Sequence, residues 1–453
     1  MASVANAAIV EWYVNDAGSG TGTGTTEANA MSYATFLDFM STGGSKTAAA
    51  GDRFNIKGAI TGRSTTTDTW VNGGTVVSPV IVRGYNSTIG DLTSVARTNG
   101  NGALVTTNYP TISYTTGFTD VTGNFIIIEA LQMSSANTTS GAATLRLSGT
   151  DIFVKRCYIF NSSTSANANA IASATGTRFG IIDNDISLTG ASGGNAAIQS
   201  LSGAGGVSRI IGNRIKSQAF GINMGGVTQF VAFNTVYTTT GIGIRCAQTL
   251  SATVIYNTVV GGGADAIQVV TGNASVQIIG GNMLTDNASG AGINMVNTSN
   301  GAFTFNNRFR DNNGTTYATP GLWISGTSYN DVTTDTGGPE TDYVNSAGND
   351  YNLIWGSPAR GAGNPLFADI GALQAPTPTP TATATATPTA TATSTATSTA
   401  TATATPSATV NCAAVCPTAT PTPTATWTPT VTPTSTPTPS ATAPIQTSYT
   451  FGG

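Results

Sequence analysis

Asp183 and Asp185 are the carboxylates whose spacing suits catalysis. They flank Asn184, so on an extended strand their side chains would lie about 6.5 to 7 Å apart, a separation compatible with the acid and base of an inverting glycosidase. We take this pair as the catalytic candidate of the sequence. The strand pattern also places Asp185 one coil from Arg214, which predicts an exposed ion pair, and exposed ion pairs need no catalytic explanation.

Other reaction types are limited by composition. The 453 residues include no histidine, which excludes Ser-His-Asp triads and zinc sites that use histidine. A lyase would need acidic Ca²⁺ ligands beside an arginine or lysine base, but residues 261–265 supply one carboxylate, and Asp311, Asp331 and Asp335 have no obvious basic partner. The sequence predicts no cofactor and no metal site. It leans against an enzyme, with a polysaccharide lyase or glycosidase as the alternative.

A row of polar side chains could instead bind a polymer. Eight short alternating segments each have one outward residue between two inward apolar ones: Arg146, Ala172, Gln199, Asn223, Gly243, Gln268, Asn294 and Trp323. Amides both donate and accept hydrogen bonds with sugar hydroxyls, and an exposed tryptophan can stack on a pyranose ring. The carbohydrate-binding candidates are therefore Arg146, Gln199, Asn223, Gln268, Asn294 and Trp323. The alternative is that outward strand positions are polar because they face solvent.

An internal repeat supplies the elements that would position these residues. Six segments share an apolar pair, a turn residue, an asparagine and a further apolar residue, and their asparagines recur every 21 to 29 residues: Asn184, Asn213, Asn234, Asn257, Asn282 and Asn307. Cys157 and Glu129 occupy the same place in two earlier segments. A unit of this length, with short strands and no helical period, cannot bury its apolar face alone. The repeat therefore predicts stacked coils of a parallel β-helix.

The recurrent asparagine has a physical explanation. A tight corner between two strands often requires a residue with positive φ, which asparagine tolerates. Stacked coils also place like side chains about 4.8 Å apart, so amides can hydrogen-bond to one another along the axis. We expect the six asparagines to form such a ladder, with the positive φ at the asparagine itself.

Both ends of a solenoid need a cover. At the N-terminus we expect a strand over Glu11–Asn15 and a capping helix between Thr26 and Thr42, with Thr25 or Thr26 as N-cap. At the other end the apolar residues that would close the last coil are Trp355, Leu366, Phe367 and Leu373.

Several stretches resemble a known superfamily. The opening residues 13–23 (YVNDAGSGTGT), followed by a helix and residues 50–58 (AGDRFNIKG), are similar to the beginning of pectate-lyase-like right-handed β-helix proteins. Residues 70–92 and the closing residues 349–374 resemble non-catalytic surface or phage-associated members. Members include lyases, hydrolases, adhesins and phage spikes, so the resemblance implies the fold and leaves the chemistry open.

One motif of an enzymatic branch is present only in part. Polygalacturonase-type members carry Gly-His-Gly, which a chain without histidine lacks. Arg214-Ile215-Lys216 matches their Arg-Ile-Lys but lies within the repeat. We interpret it as a solvated pair that flanks an inward Ile215.

The predicted class is an all-β, single-stranded right-handed parallel β-helix with an N-terminal capping helix and a disordered stalk. The boundaries are 1–50 for the strand and capping helix, 51–375 for the β-helix, 376–444 for the stalk and 445–453 for a short terminal segment. The stalk consists almost entirely of Thr, Pro, Ala and Ser, which cannot form a core and suits O-glycosylation. Within it, Cys412 and Cys416 could form a disulfide.

The expected partners and location follow from charge and composition. Seventeen Lys and Arg residues are scattered singly, so we expect no nucleic acid partner. The sequence has no apolar run long enough for a membrane span and shows no pattern of a signal peptide, so we expect neither. The hypothesis is a non-enzymatic structural or adhesive protein that is extracellular, on a cell surface or in a virion, binding a polysaccharide or cell-surface glycan. A tailspike-type lyase or hydrolase and a self-associating filament subunit are the alternatives.

Overall fold

The structure, a computed structural model, describes most of the chain up to Arg310 and short segments beyond it. The described ranges are 9–63, 67–94, 97–98, 102–137, 143–165, 168–174, 178–190, 194–200, 207–226, 228–249, 251–270, 276–287, 289–296, 301–310, 317–318, 322–323, 332–333, 343–345, 350–354, 357, 359–360 and 371. The predicted stalk, the disulfide between Cys412 and Cys416, and the closing residues Trp355, Leu366, Phe367 and Leu373 lie outside the described residues.

Three parallel sheets, which we name A, B and C, contain nearly all described strands. Sheet A has thirteen strands in the spatial order Met31–Ser32, Glu11–Asn15, Arg53–Ile56, Val80–Gly84, Ile126–Glu129, Ile152–Lys155, Phe179–Ile182, Ser208–Ile211, Gln229–Ala232, Ala252–Ile255, Val276–Gly280, Gly301–Phe305 and Leu322–Trp323.

Sheets B and C follow sheet A within each coil. Sheet B has eleven strands: Ala59–Ile60, Thr111–Tyr114, Gln132–Ser135, Tyr158–Asn161, Asp185–Leu188, Arg214–Ser217, Thr235–Thr238, Thr258–Gly262, Met283–Asn287, Arg308–Arg310 and Val332–Thr333. Sheet C has ten: Thr67–Trp70, Phe118–Val121, Ala143–Leu147, Asn169–Ser173, Ala196–Ser200, Phe220–Gly226, Ile244–Thr249, Ile267–Val269, Ile293–Met295 and Tyr317–Ala318. The predicted all-β solenoid is confirmed.

The interior consists of columns of like side chains. One column in sheet A is fully buried and contains Ile128, Val154, Ile181, Ile210, Val231, Val254 and Ile279. Burying one such side chain contributes about 1.5 to 3 kcal/mol relative to leaving it exposed. Because each coil repeats the same inward positions, the strands of neighbouring coils pair in register, and their outward positions also form straight rows.

The N-terminal cover is shorter than the sequence pattern suggests. The strand Glu11–Asn15 is confirmed, but the α-helix spans only Tyr33–Met40, after a 3-10 turn at Glu27–Asn29. The expected N-cap at Thr25 or Thr26 is wrong: Ser32 caps the helix, and its side chain accepts a hydrogen bond from the Thr35 backbone N–H.

The short helix seals the first coil with aromatic rings. Phe36 packs edge-on against Phe54 and Trp70, with ring centroids 5.1 and 5.5 Å apart, and Phe39 also contacts Phe54. All four rings are buried. The helix therefore covers the open end of the apolar interior, as predicted for a capped solenoid.

Described residues near the C-terminal end of the fold pack on the outside of sheet B. Tyr343–Asn345 and Asp350–Leu353 form an antiparallel hairpin, and its Tyr343 and Tyr351 are buried against Val260 and Met283. Further along, the Gly371 backbone N–H donates to the Gly281 carbonyl at 2.8 Å. These residues thus cover a side of the solenoid.

Candidate functional site

The asparagine column lies at the turn from sheet A to sheet B. All six asparagines are buried, and from Asn184 to Asn282 each donates its side-chain amide to Oδ1 of the next asparagine at 2.9 to 3.1 Å. The same Oδ1 atoms accept the backbone N–H of the preceding coil. Cys157 extends the column by donating its backbone N–H to Asn184 Oδ1.

Two details of the expected ladder were wrong. Glu129 pairs with Lys155, so the residue at the ladder position in that coil is Leu131, two residues later. The left-handed conformation belongs to the residue before each ladder position, as at Asp183, Phe233 and Tyr256 with φ of 56, 57 and 53°. The turn therefore needs a left-handed residue followed by a side chain that can bond along the axis.

The carboxylate pair is part of an ion-pair network. Arg97 donates from Nε to Asp183 at 2.8 Å and from Nη1 to Asp185 at 2.6 Å, and Arg156 donates to the second oxygen of Asp183 at 2.6 Å. Asp185 is buried and also accepts the Leu104 backbone N–H. Burial alone would lower the pKa of Arg97, but the two carboxylates outweigh it and raise that pKa.

This geometry corrects the surface ion pair expected for Asp185. Arg214 is its register neighbour on sheet B, as predicted, yet the carboxylate is buried and bonds to Arg97 from a distant loop. Ile215 between Arg214 and Lys216 is buried, as expected. Because arginines and a backbone N–H hold Asp183 and Asp185, the pair attaches the loop around Arg97 and is poorly placed to exchange protons with a substrate.

The polar row predicted on the second track lies on the outer face of sheet C. Register pairing joins Arg146, Ala172, Gln199, Asn223, Arg245, Gln268, Asn294 and Ala318 in that order. We call the part from Gln199 to Asn294 the sheet C row. The structure therefore brings together Gln199, Asn223, Gln268 and Asn294 in one row with a spacing of about 4.8 Å per coil.

Two positions of the expected row were misplaced. Arg245 occupies the place assigned to Gly243, because the strand Ile244–Thr249 pairs with Phe220–Gly226 two residues further along than expected. Trp323 lies in sheet A beside Ala302, and Ala318 continues the row. Sequence reasoning missed Arg245, which stands in the same alternating segment and could have been found by aligning Ile244 with Ile222.

Asp265 organises one end of the sheet C row. Its Oδ2 accepts a hydrogen bond from Gln268 Nε2 and another from Asn294 Nδ2, both at 2.8 Å, and its Oδ1 accepts the Ala291 backbone N–H at 2.9 Å. Asp265 is only 7% exposed. With their amide nitrogens held on this carboxylate, Gln268 and Asn294 direct their side-chain carbonyl oxygens away from it as acceptors.

The centre of the row contains unsatisfied polar atoms. Asn223 is 7% exposed and donates to Gln199 Oε1 at 2.9 Å, but its Oδ1 has no hydrogen-bond partner within the described part of the chain. Beside it, the Arg245 guanidinium lies 5.4 Å from the centroid of the Phe220 ring, and its buried Nε has no hydrogen-bond partner there either. A buried polar atom without a partner costs about 1 to 3 kcal/mol. Because the protein covers both atoms, a ligand on this face would instead contact the half-exposed parts of Gln199 and Arg245.

Arg146 belongs to a separate pair at the other end of the row. It donates to Asp120, its register neighbour in the preceding coil, and its guanidinium lies 5.0 Å from the Phe118 centroid. The hydrogen bond to Asp120 raises the pKa of Arg146. Ala172 separates Arg146 from the amides, so we do not include it in the sheet C row.

Metal ligands are not clustered in the described ranges, where no three His, Cys, Asp or Glu side chains come together in a way that could hold a metal ion. No described helix has the length and apolar character needed to cross a membrane. Cys157 and Cys246 are buried free thiols, and burial raises the pKa of each to about 12.

Comparison with solved structures defines the fold. A crystal structure of pectate lyase Pel9A matches with a TM-score of 0.54 at 10% identity, covering 81% of this chain and 96% of that one. The chain has the pectate-lyase-like right-handed β-helix fold. A GH136 lacto-N-biosidase from Eubacterium ramulus matches with a TM-score of 0.36 at 10% identity, covering 72% of this chain and 68% of that one. A PL6 family alginate lyase, AlyGC, matches with a TM-score of 0.26 at 11% identity, covering 69% of this chain and 53% of that one. Neither a family model nor a curated protein sequence matches the chain.

Proposed function

We propose that this β-helix protein binds a polysaccharide along the sheet C row, as a structural or adhesive protein outside the cell or on a virion. The observation that carries the proposal is the shared contact of Gln268 and Asn294 with Asp265, which holds both amide nitrogens and leaves two side-chain oxygens directed away from it in neighbouring coils. With the half-exposed Gln199 and Arg245, these groups form a polar surface in one row. Polymer hydroxyls would donate to the amide oxygens and accept from the guanidinium.

The repeat of the row suits a polymer. Each coil places one polar side chain in the row, about 4.8 Å from the next: Gln199, Asn223, Arg245, Gln268 and Asn294. An extended chain of sugars could follow the axis and meet donors and acceptors at regular intervals.

The sheet C row favours binding over cleavage. Glycosidic hydrolysis calls for two carboxyl groups on opposite sides of the scissile bond, whereas the row offers amides and a guanidinium. The carboxylate beside it, Asp265, already accepts three hydrogen bonds. The fold shared with pectate lyase Pel9A is compatible with a carbohydrate ligand, and the chemistry must be tested directly.

The test uses the full chain and a panel of neutral and acidic polysaccharides in affinity electrophoresis. We expect retardation by at least one polymer, with Gln268→Ala and Asn294→Ala each weakening binding roughly tenfold, the cost of one to two hydrogen bonds. Lys216→Ala is the matched control, because Lys216 is exposed on sheet B. Unchanged retardation of both row variants would refute the site.

The same incubations distinguish an enzyme. Products are assayed for new reducing ends and for the ultraviolet absorbance of unsaturated sugars. We expect neither to increase over time. An increase in reducing ends alone would assign hydrolysis and an increase in both would assign a lyase, and either result would overturn the non-enzymatic proposal.

A further inference from the structure

The outside of sheet A has a character unlike the sheet C row. Each of six successive coils places at least one apolar side chain outward, while Arg209 and Thr253 lie in the same row as Phe230 and Ile278. The adjoining turn adds two aromatic rings. Ile278, Phe233 and Phe303 are 41, 40 and 37% exposed, and the other apolar members are half-buried. We call this surface the sheet A face and define it by Ile182, Ile211, Phe230, Ile255, Ile278, Phe303, Phe233 and Tyr256.

The aromatic pair of the sheet A face is held in an unfavourable backbone conformation. Phe233 and Tyr256 have φ of 57 and 53°, at turn positions that Gly212 and Gly281 occupy in neighbouring coils. Their rings stack with centroids 5.3 Å apart at 11°. Every turn of this row requires the left-handed region, which bulky residues rarely adopt, so Phe233 and Tyr256 place aromatic rings where a glycine would meet the backbone requirement.

Charge is nearly absent from the sheet A face. Across the six strands from Phe179–Ile182 to Gly301–Phe305, only Arg209 is charged. Two identical faces of this kind can therefore meet with little like-charge repulsion. A partner that carries a strongly charged surface would instead lose hydration there without gaining ion pairs.

Two other clusters of outward apolar residues are covered by the protein's own chain. On sheet B, Val260 and Met283 lie beneath Tyr343 and Tyr351. At the turn of an early coil, Ala130 lies beneath Leu92 and Tyr109. The exposed side chains of the sheet A face, in contrast, have no such cover within the described structure.

We propose that the sheet A face is the contact surface for a second copy of this chain. Six coils at about 4.8 Å and a width of about 20 Å, from a four-residue strand and its turn, give a planar area on the order of 600 Å² per copy. Two copies would bury about 1,200 Å² in total, the lower end of the range for specific stable interfaces.

The regular spacing of the face also favours a copy of the same chain. Its branched and aromatic side chains alternate with smaller residues from coil to coil, at a spacing of about 4.8 Å per coil. A second sheet A face has the same repeat, so large side chains of one copy can fit over small ones of the other. Such a contact uses one patch twice, as in isologous dimers.

Sedimentation velocity of the full chain over a range of concentrations tests this proposal. We expect a concentration-dependent dimer, and Phe230→Glu and Ile278→Glu should each raise the dissociation constant at least tenfold. Val296→Glu is the matched control, because Val296 is similarly exposed at 44% but follows a sheet C strand. A monomer at all concentrations, or equal weakening by the control, would overturn the proposal.

A crosslinking experiment covers the case in which a glutamate variant fails to fold. In a Cys412→Ser/Cys416→Ser background, Phe230→Cys and Val296→Cys are compared under mild oxidation or with a short bifunctional thiol reagent. Phe230 lies in the third of the six coils, near the middle of the face, where an isologous contact brings a residue close to its own copy in either relative direction of the chains. We expect covalent dimers from the Phe230 variant and none from the Val296 variant. The reverse pattern, or equal yields, would contradict the assigned face. Polysaccharide binding at the sheet C row is independent of either result.

Discussion

The side-chain oxygen of Asn213 accepts two hydrogen bonds from Asn184, one from Nδ2 at 2.9 Å and one from the backbone N at 3.0 Å. The same pair of bonds repeats up to Asn307. Each asparagine therefore provides the acceptor for the backbone N–H at the turn of the preceding coil, and it fixes the spacing between the two coils. The turn between sheets A and B is highly repetitive for this reason.

Removing one member of the ladder should destabilise the fold. In Asn234→Ala, the backbone N–H of Asn213 loses its acceptor inside the protein and the side-chain amide of Asn213 loses one of three acceptors. With the buried amide of Asn234 itself removed, we expect a loss of roughly 3 kcal/mol in the free energy of unfolding. Urea denaturation measures it. Asn294→Ala, at a half-exposed position, is the control, with an expected loss under about 1 kcal/mol. Equal losses would mean that the ladder is not a main source of stability.

Arg97 should hold its loop against the solenoid. In Arg97→Ala, the buried Asp185 loses its cation, which costs about 3 kcal/mol. We therefore expect faster cleavage by a protease near residues 86–110, followed by mass spectrometry of the fragments. Arg209→Ala removes an exposed arginine and should leave the cleavage rate unchanged. If the two variants are cut alike, the ion pairs do not control this loop.

The buried thiols should make stability fall at alkaline pH. Cys157 and Cys246 have pKa values raised from 9.0 to about 12 in the folded state, so above pH 9 the unfolded chain releases protons that the folded chain retains. Stability is then fully present below pH 9 and decreases as the pH rises towards 12, by about 1.4 kcal/mol per thiol at pH 10. Urea denaturation at pH 7.5 and pH 10 measures the difference.

A double variant isolates the contribution of the thiols. Cys157→Ala/Cys246→Ala lowers stability at both pH values by removing buried atoms, but its loss between pH 7.5 and pH 10 should be smaller than that of the wild type by roughly 3 kcal/mol. An identical pH dependence would show that other groups cause the alkaline effect.

Ser32 should contribute about 1 kcal/mol as the helix N-cap. Its side chain accepts the Thr35 backbone N–H at 3.1 Å, and loss of a cap of this kind typically costs that much. Ser32→Ala is compared with Thr25→Ala by thermal unfolding, because Thr25 is exposed and precedes the 3-10 turn. A larger effect of Thr25→Ala would support the cap position suggested by the sequence.

The repeat was predictable from sequence because it follows local chemistry. An apolar pair followed by a turn residue and asparagine gives the strand, the corner and the register at once, so Asn184, Asn213 and Asn234 could be aligned from their neighbours in the chain alone. In the early coils the asparagine is replaced by other residues, and the alignment fails there. Glu129 was placed at the ladder position that Leu131 occupies, because neither residue carries a side-chain amide that marks the position.

The candidate site was only partly predictable because long-range contacts decide its details. The alternation that predicted Gln199, Asn223 and Gln268 is local, but the pairing between coils selects Ile244 as the partner of Ile222 and so brings Arg245 beside Asn223. The partner of Asp185 was missed for a similar reason, since Arg97 is 88 residues away. No spacing rule reaches that far.

The coil between Asn213 and Asn234 indicates how the number of coils in this fold can change. It is the shortest of the units marked by asparagine, at 21 residues, and both of its boundaries carry the same amide. Excision of such a unit rejoins two equivalent corners and leaves the terminal cover untouched. The solenoid can therefore lengthen or shorten by whole coils, and each coil gained or lost adds or removes one set of outward side chains on every sheet.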